Sequence, residues 1–305
     1  MSNAVTFPVE ALQRCIDAFP GDVGFFAHDL TTGAVFEHHG DDRFPTASVF
    51  KVPIMIALHR MAQRGEINLD ERRRLEPDIS DHGTGLLNML RDQPELTLRD
   101  YCRVMIAVSD NMATDMLLRA IGCDAVNVML DELGLTNTRV SMEIGRWHFT
   151  MVGMHDAPMT RKNIRQAADK TLAGSFDYRG LVFSDSLSSN VASARDMAAL
   201  LEKLHRGELA DANTTAEMID LLKSCAHRGM IPRYLRDGVE VAHKHGSSHR
   251  IKADAGIIYL PPGPLIVAGF TLASHTTSVG NDTIADMTRL VTEAVAPDAI
   301  APATA

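Results

Sequence analysis

Seven consecutive residues, Val52-Pro53-Ile54-Met55-Ile56-Ala57-Leu58, carry neither a charge nor a side-chain amide, and they follow directly on Lys51. A helix lying on a protein surface keeps a polar face. This one has none, so it is expected to run through a core until Gly65 stops it. Ser48 and Lys51, three residues apart, share a face at the first turn, where unpaired backbone N–H groups and the helix dipole favour negative charge. A lysine entering an apolar helix loses hydration, which lowers its pKa and lets it act as a base toward a neighbouring hydroxyl. Ser-x-x-Lys recurs by chance in many proteins, so this pair alone assigns no function.

The 305 residues suffice for one large core or two lobes, and 45% hydrophobic with 23% charged residues is ordinary for a globular protein. A net charge of −9 argues against nucleic acid as a partner, because phosphate binding needs concentrated Lys and Arg. Arg72-Arg73-Arg74 reads as a solvated helix face. Cys15, Cys102, Cys123 and Cys225 are scattered without a Cys-x-x-Cys pair, so reduced thiols are expected, none of them a nucleophile. Glu10, Arg14 and Asp17 interrupt the apolar run that a signal peptide would need, and no stretch elsewhere is suited to span a membrane. The expectation is a cytoplasmic enzyme, although a chain shorn of its leader would read the same. The Ala- and Pro-rich tail 296–305 is expected to trail off.

In chain order, Val9–Phe19 reads as an amphipathic helix, Gly21–Asp29 and Ala34–His39 as two strands joined at Thr31-Thr32-Gly33, and Asn68–Arg74 as the start of a polar helix. Asp81-His82-Gly83-Thr84-Gly85 is a glycine-rich loop, read as structural because no strand precedes it. Helices follow at Tyr101–Val108 with Thr97 as cap, at Met112–Ile121 with Asp110 as cap, and at Asp124–Leu133. From Thr138 to Asn190 the pattern breaks at several glycines. Only Thr160–Leu172 stands out there, as a basic amphipathic helix. A stretch this long between regular elements points to a functional flap or an assembly element. Helices return at Ala194–Leu204 and Thr215–Lys223, strands at Val239–His245, Ala255–Leu260 and Leu265–Thr271, and a last helix at Asp282–Ala294. Short links imply antiparallel strands, and strands at both ends of the chain imply one sheet built from the two.

Ser48-Val49-Phe50-Lys51, Ser109-Asp110-Asn111 and Lys244-His245-Gly246 occur in this order at a helix start, an inter-helix loop and a strand. Together they are far more specific than any one of them; alone, Ser109-Asp110-Asn111 would be a helix cap and Lys244 an exposed strand lysine. The set resembles that of the penicillin-recognising serine enzymes, specifically the class A β-lactamases. The resemblance extends to Ala192–Met197, Ala242–Lys244 and Asp254–Gly256. It implies an α/β (α+β) fold, an antiparallel sheet flanked by helices with an inserted all-α lobe: residues 1–45 and 228–305 would form the α/β part, and 46–227 the all-α part. It further implies that Ser48 is the nucleophile forming an acyl-enzyme, Lys51 its base, Ser109 a proton relay to the leaving nitrogen, and Asn111 a holder of Lys51 and of a substrate amide. Lys244 would supply positive potential for a substrate carboxylate, and the backbone N–H groups of Ser48 and Ser247 would form the oxyanion hole beside Gly246.

Two departures stand against that pattern. His245 occupies the place where the family has Thr or Ser for binding the carboxylate, with Ser247 or Ser248 as substitutes. No Glu-x-x-Leu-Asn segment, whose glutamate activates the deacylating water in class A enzymes, occurs between Thr138 and Asn190; Glu143 is the nearest candidate, with Asp156, Asp177 and Asp185 behind it. A metal site at His243, His245 and His249 is the rival reading, but no aspartate completes its pattern, and neither metal nor cofactor is expected. The expected activity is hydrolysis of a β-lactam or related amide or ester, a small molecule that can bear a carboxylate. The alternatives are a D-alanyl peptidase or esterase, and a penicillin-binding sensor impaired in deacylation.

Overall fold

The computed structural model describes residues 5–76 and 83–302. Asp81 and His82 of the glycine-rich loop and the last three residues of the tail lie outside them. The first helix, Val9–Asp17 (α1), leads into the strands Gly21–Asp29 (β1) and Val35–His38 (β2). At the other end of the chain come Glu240–Ser247 (β7), Ile251–Leu260 (β8) and Gly263–Ala273 (β9), and these five strands form one antiparallel sheet in the order β2-β1-β9-β8-β7. Nine residues of β1 pair with β9, from Gly21 with Ala273 to Asp29 with Leu265. The two termini are thereby joined at the centre of the sheet. One face is covered by α1 and the final helix Val279–Val295 (α10), with Leu12, Ile16, Ile284, Met287 and Val291 packed on Phe25 and Val267.

The other face carries the rest of the chain. After the short strand Arg43–Pro45 (β3), a 3-10 turn at Ala47–Phe50 runs into Lys51–Gln63 (α2). Every residue of α2 from Lys51 to His59 is buried, as the absence of a polar face requires. Pro53 is tolerated because it lies in the first turn, where the N–H has no intrahelical partner. Around α2 pack Leu98–Ala107 (α3), Asn111–Ile121 (α4), Cys123–Glu132 (α5) and Ala212–Lys223 (α9), while Ala194–His205 (α8) lies against the sheet. Each fully buried Ile, Leu or Met of α2 contributes about 1.5–3 kcal/mol relative to exposure, so this helix is a major organiser of the core. No helix among the described residues is long and apolar enough to cross a membrane.

Three expectations are corrected. Arg72–Arg74 is a strand (β4), paired with Glu95–Thr97 (β5), and not a helix face. Pairing with a segment distant in sequence overrides the local pattern, and Arg72 and Arg73 reach Glu95 and Glu71. Strand β8 begins at Ile251, four residues before the expected Ala255. Lys252 and Asp254 disguised its start, and Asp254 is buried because His243 on β7 bonds it. The segment 138–190 contains two helices, Ile144–Met151 (α6) and Arg161–Leu172 (α7), where only the second was expected, and it ends at the strand Val191–Ser193 (β6), which pairs with β3.

Helix α6 was hidden because its N-terminal cap comes from elsewhere. Asp115, buried on α4, accepts hydrogen bonds from Ile144 N at 2.7 Å and Gly145 N at 2.9 Å. It replaces the local capping residue that sequence reading looks for. The neck of the segment is closed by Asn190, whose Oδ1 accepts from Ser141 N and Met142 N and whose Nδ2 donates to Met142 O. From this neck α6 and α7 rise as a cap over the β7–β8 turn. There the Arg250 guanidinium lies 3.5 Å from the Tyr178 ring centre, the His249 and Phe176 rings approach to 3.7 Å, and Tyr178 bonds Thr276 at 3.0 Å.

Candidate active site

Ser48 stands on the 3-10 turn that opens α2, partly exposed in an otherwise buried stretch. The residue before it, Ala47, has φ +42°, a conformation that non-glycine residues rarely hold without support from their surroundings. That support comes from β7. A Cβ on Gly246 would lie 2.5 Å from Thr46 O and 2.7 Å from Ser48 N, so only glycine lets the strand approach the Ser48 turn this closely. The backbone of Ser48 is thus set beside the end of β7, where Ser247 is exposed.

Lys51 is fully buried, and its Nζ has three partners: Ser109 O at 2.7 Å, Asn111 Oδ1 at 2.8 Å and Ser109 Oγ at 3.1 Å. Burial, followed by the nearby charge of Lys244, pushes its pKa well below the ordinary lysine value. Desolvation penalises the ammonium form and so favours the neutral amine that can accept a proton. In that form the Ser109 hydroxyl can donate to Nζ, since hydrogen positions follow the protonation state.

The Ser109-Asp110-Asn111 corner is built to hold these partners in place. Ser109 itself has φ +59°. Asp110 caps α4 by accepting from Ala113 N, and its second oxygen accepts from Leu86 N and Leu87 N. A Cβ on Gly85 would sit 2.2 Å from that carboxylate. The glycine-rich loop therefore serves as a clamp on the corner, and its glycines are required by contact with Asp110 and Asn111.

On the strand side Lys244 is fully buried, with Nζ donating to His245 O at 2.8 Å. Burial lowers its pKa to about 8. His245 stands where the family has a Thr or Ser that binds the carboxylate, a role for which Ser247 and Ser248 are the substitutes. Its ring stacks on His227, 4.1 Å between centres, with Nδ1 3.5 Å from Cys225 Sγ. Burial and the adjacent Lys244 hold its pKa far below the ordinary imidazole value, so it carries no charge to offer an anion. Lys252, which the sequence reading passed over, donates to Ser247 Oγ at 2.8 Å and to Ser248 O at 3.2 Å, placing a cation at the exposed edge. Its signal was hidden because its strand was not recognised at that point.

The expected deacylation bases are not gathered here. The Glu143 carboxylate is 3.2 Å from Arg119 Nε, and the same guanidinium bonds Glu76. A carboxylate whose lone pairs face a guanidinium is a poor proton acceptor. Asp156 is exposed beside His155, Asp185 is exposed near Arg43, and Asp177 sits in an exposed turn. Among the described residues no group of three or more His, Cys, Asp or Glu side chains is arranged to hold a metal. His243, part of the rival metal reading, is instead bonded through Nδ1 to Asp254 at 2.9 Å.

A cleft of about 720 Å³ opens from this machinery toward the cap. It starts at Ser247 and Gly83, which adjoin the Ser48 turn and Asn111, and extends away from Ser48 between the β7–β8 turn and α6–α7. Phe149, Met151, Ile164 and Leu172 give it an apolar wall; Ser247, Ser248 and Lys252 give it a polar one. His148 of α6 also lines it. Sequence reading missed this histidine because nothing local marked α6.

A model of the beta-lactamase enzyme family matches residues 8–295 of the chain. A beta-lactamase of Streptomyces cellulosae is 28% identical over 282 residues, 90% of this chain and 80% of that one. A beta-lactamase of Streptomyces lavendulae is 29% identical over 170 residues, so that the match spans about half of that relative's length, 52%, and 54% of this chain. Among solved structures, the beta-lactamase from Sphaerobacter thermophilus is similar with a TM-score of 0.76 at 29% identity, covering 95% of this chain and 96% of that one. The structure of PBP-A has the same fold, with a TM-score of 0.76 at 24% identity over 95% of this chain and 99% of that one.

Proposed function

The chain belongs to the beta-lactamase enzyme family and is a class A β-lactamase-like serine hydrolase, and from that premise we propose that Ser48 opens β-lactam rings by forming an acyl-enzyme. The observation that carries the assignment is the buried Lys51 amine held by Ser109 and Asn111 one helical turn from the Ser48 hydroxyl. In this reading Lys51 takes the Ser48 proton as Oγ attacks the lactam carbonyl, and Ser109 passes a proton to the departing nitrogen. The N–H groups of Ser48 and Ser247 receive the oxyanion. Donors in such holes are worth roughly 3–4 kcal/mol each. Lys244 and Lys252 attract the substrate carboxylate toward Ser247, and the Asn111 side chain holds a substrate amide. The apolar wall of the cleft suits the acyl substituent.

A second reading, a sensor that stays acylated, is favoured by one observation: no carboxylate lines the cleft among the described residues. Intact-protein mass after incubation with a penicillin, together with turnover of a chromogenic cephalosporin, separates the two. Turnover with a transient adduct supports the hydrolase, and an adduct that persists supports the sensor. Ser48→Ala is expected to lose both adduct and turnover; wild-type turnover in that variant would remove Ser48 from the scheme.

A further inference from the structure

The cap brings to the cleft a helix whose apolar stripe is only half covered. On α7, Ile164, Ala167, Ala168, Thr171 and Leu172 follow the i, i+3, i+4, i+7, i+8 spacing that puts side chains on one face. All five line the cleft. The first part of this face is packed: Ile164 and Ala167 are buried with Phe149 and Val152 in a small apolar cluster that belongs to the cap itself. The second part lies open, with Ala168 exposed and Leu172 86% exposed. A leucine exposed on its own needs no explanation, but one that ends a stripe lining a cleft does. The same cleft reaches Ser247, the neighbour of Gly246, against which the Ser48 turn packs. Its remaining lining is largely hydroxyl-bearing, with Ser248, Thr276 and Thr277. A volume of about 720 Å³ is that of sites enclosing a drug-sized ligand. The helix runs about 12 Å from Ile164 to Leu172 at 1.5 Å per residue.

Resting on the reading of Ser48 as the acylated residue, we propose that this protein selects β-lactams with a long apolar acyl chain, which lies along the α7 stripe between Ile164 and Leu172, and that Ala168 and Leu172 set this selectivity. The polar end of the donor stays at Ser247 and Lys252, where a hydroxyl and an ammonium face it. The chain leaves that end and covers the open half of the stripe, so apolar area on both partners is removed from water at once. A short acyl group leaves the stripe wet. Because kcat/KM for acylation compares the transition state with free protein and free donor, this burial appears in it whether it is realised on binding or later.

The test uses N-acyl penicillins that share one ring and carry acetyl, butanoyl, hexanoyl or octanoyl chains, with ring opening followed by absorbance and adduct by mass of the intact protein. In wild type, kcat/KM for ring opening is expected to rise about two- to threefold per added methylene, less than the roughly fourfold of complete burial. Leu172→Glu puts a charge on the open end of the stripe, and Ala168→Trp fills the channel beside it. Each is expected to lower the octanoyl-to-acetyl ratio by about tenfold, while Leu172→Met keeps it. The ratio is taken within each variant, so a change in the amount of folded protein cancels. A ratio near one in wild type, or a high ratio that neither Leu172→Glu nor Ala168→Trp lowers, overturns the inference and leaves Ser48 in place. No adduct and no ring opening with any member overturns the reading of Ser48, and this inference with it.

Discussion

At the scale of single residues, the proposed chemistry depends on lysines stripped of water. Lys51 and Lys244 are both fully buried, and burial lowers the pKa of each. Lys51→Ala is expected to slow acylation by at least about two orders of magnitude, the usual loss with a general base, measured as the rate of adduct formation. For Lys244 the direction follows from its value of about 8: below that pH it is an ammonium, and as pH rises through it the positive potential at Ser247 declines. KM for a carboxylate-bearing substrate is therefore expected to rise above pH 8, while KM for an uncharged ester of the same acyl group stays flat. Equal pH dependence for both substrates would remove Lys244 from carboxylate recognition. Ser48, Lys51, Ser109, Asn111 and Lys244 stood out in the sequence because each sits in a short run whose spacing survives folding. His148, which lines the cleft, did not stand out, because the cap of its helix comes from another element.

At the scale of elements, helices with their own caps were legible and the one with a borrowed cap was not. Thr97 and Asp110 each accept from the residue three ahead, as local sequence announced, and Thr160 does the same at the start of α7. Helix α6 takes its cap from Asp115, nearly thirty positions earlier, with Ile144 N bonded across |i−j| = 29. In the same way the start of β8 was obscured by Asp254, whose burial makes sense only once His243 is opposite it. Asp115→Ala leaves two buried N–H groups unpaired and is expected to cost about 1–3 kcal/mol for each group. The damage is expected to fall first on the cap, read as limited proteolysis within residues 142–189 ahead of global unfolding. Asp115→Asn, which keeps one acceptor, is expected to fall between. A uniform loss of stability with no preferential cleavage would show that Asp115 supports the α4 core and not α6.

At the scale of the whole molecule, two neighbouring strands of the sheet and the chain leading into them are held by a buried pair on β7 and β8. His243 and Asp254 are both fully enclosed, and Asp254 also accepts from Ile231 N. Burial opposes the charged imidazole, but the charge and hydrogen bond of Asp254, with those of Cys225, outweigh it and raise the His243 pKa to about 10. A group whose pKa is raised on folding stabilises fully below its unfolded value, near 6.5, and loses that contribution as pH climbs through the folded one. The denaturation midpoint of wild type minus that of the double variant His243→Gln/Asp254→Asn is therefore expected to fall between pH 6.5 and 10. A difference that is flat across the window would mean that the imidazole is neutral in the folded protein. The neck at Asn190 has a different consequence. Because both ends of segment 142–189 meet at one amide, the cost of closing the loop varies only with the logarithm of its length, about 0.6 kcal/mol per doubling. Residues between the clasp points can be lengthened, shortened or exchanged at little cost to the rest of the fold, so the wall that segment gives the cleft can change while the Ser48 turn and the strand beside it stay as they are.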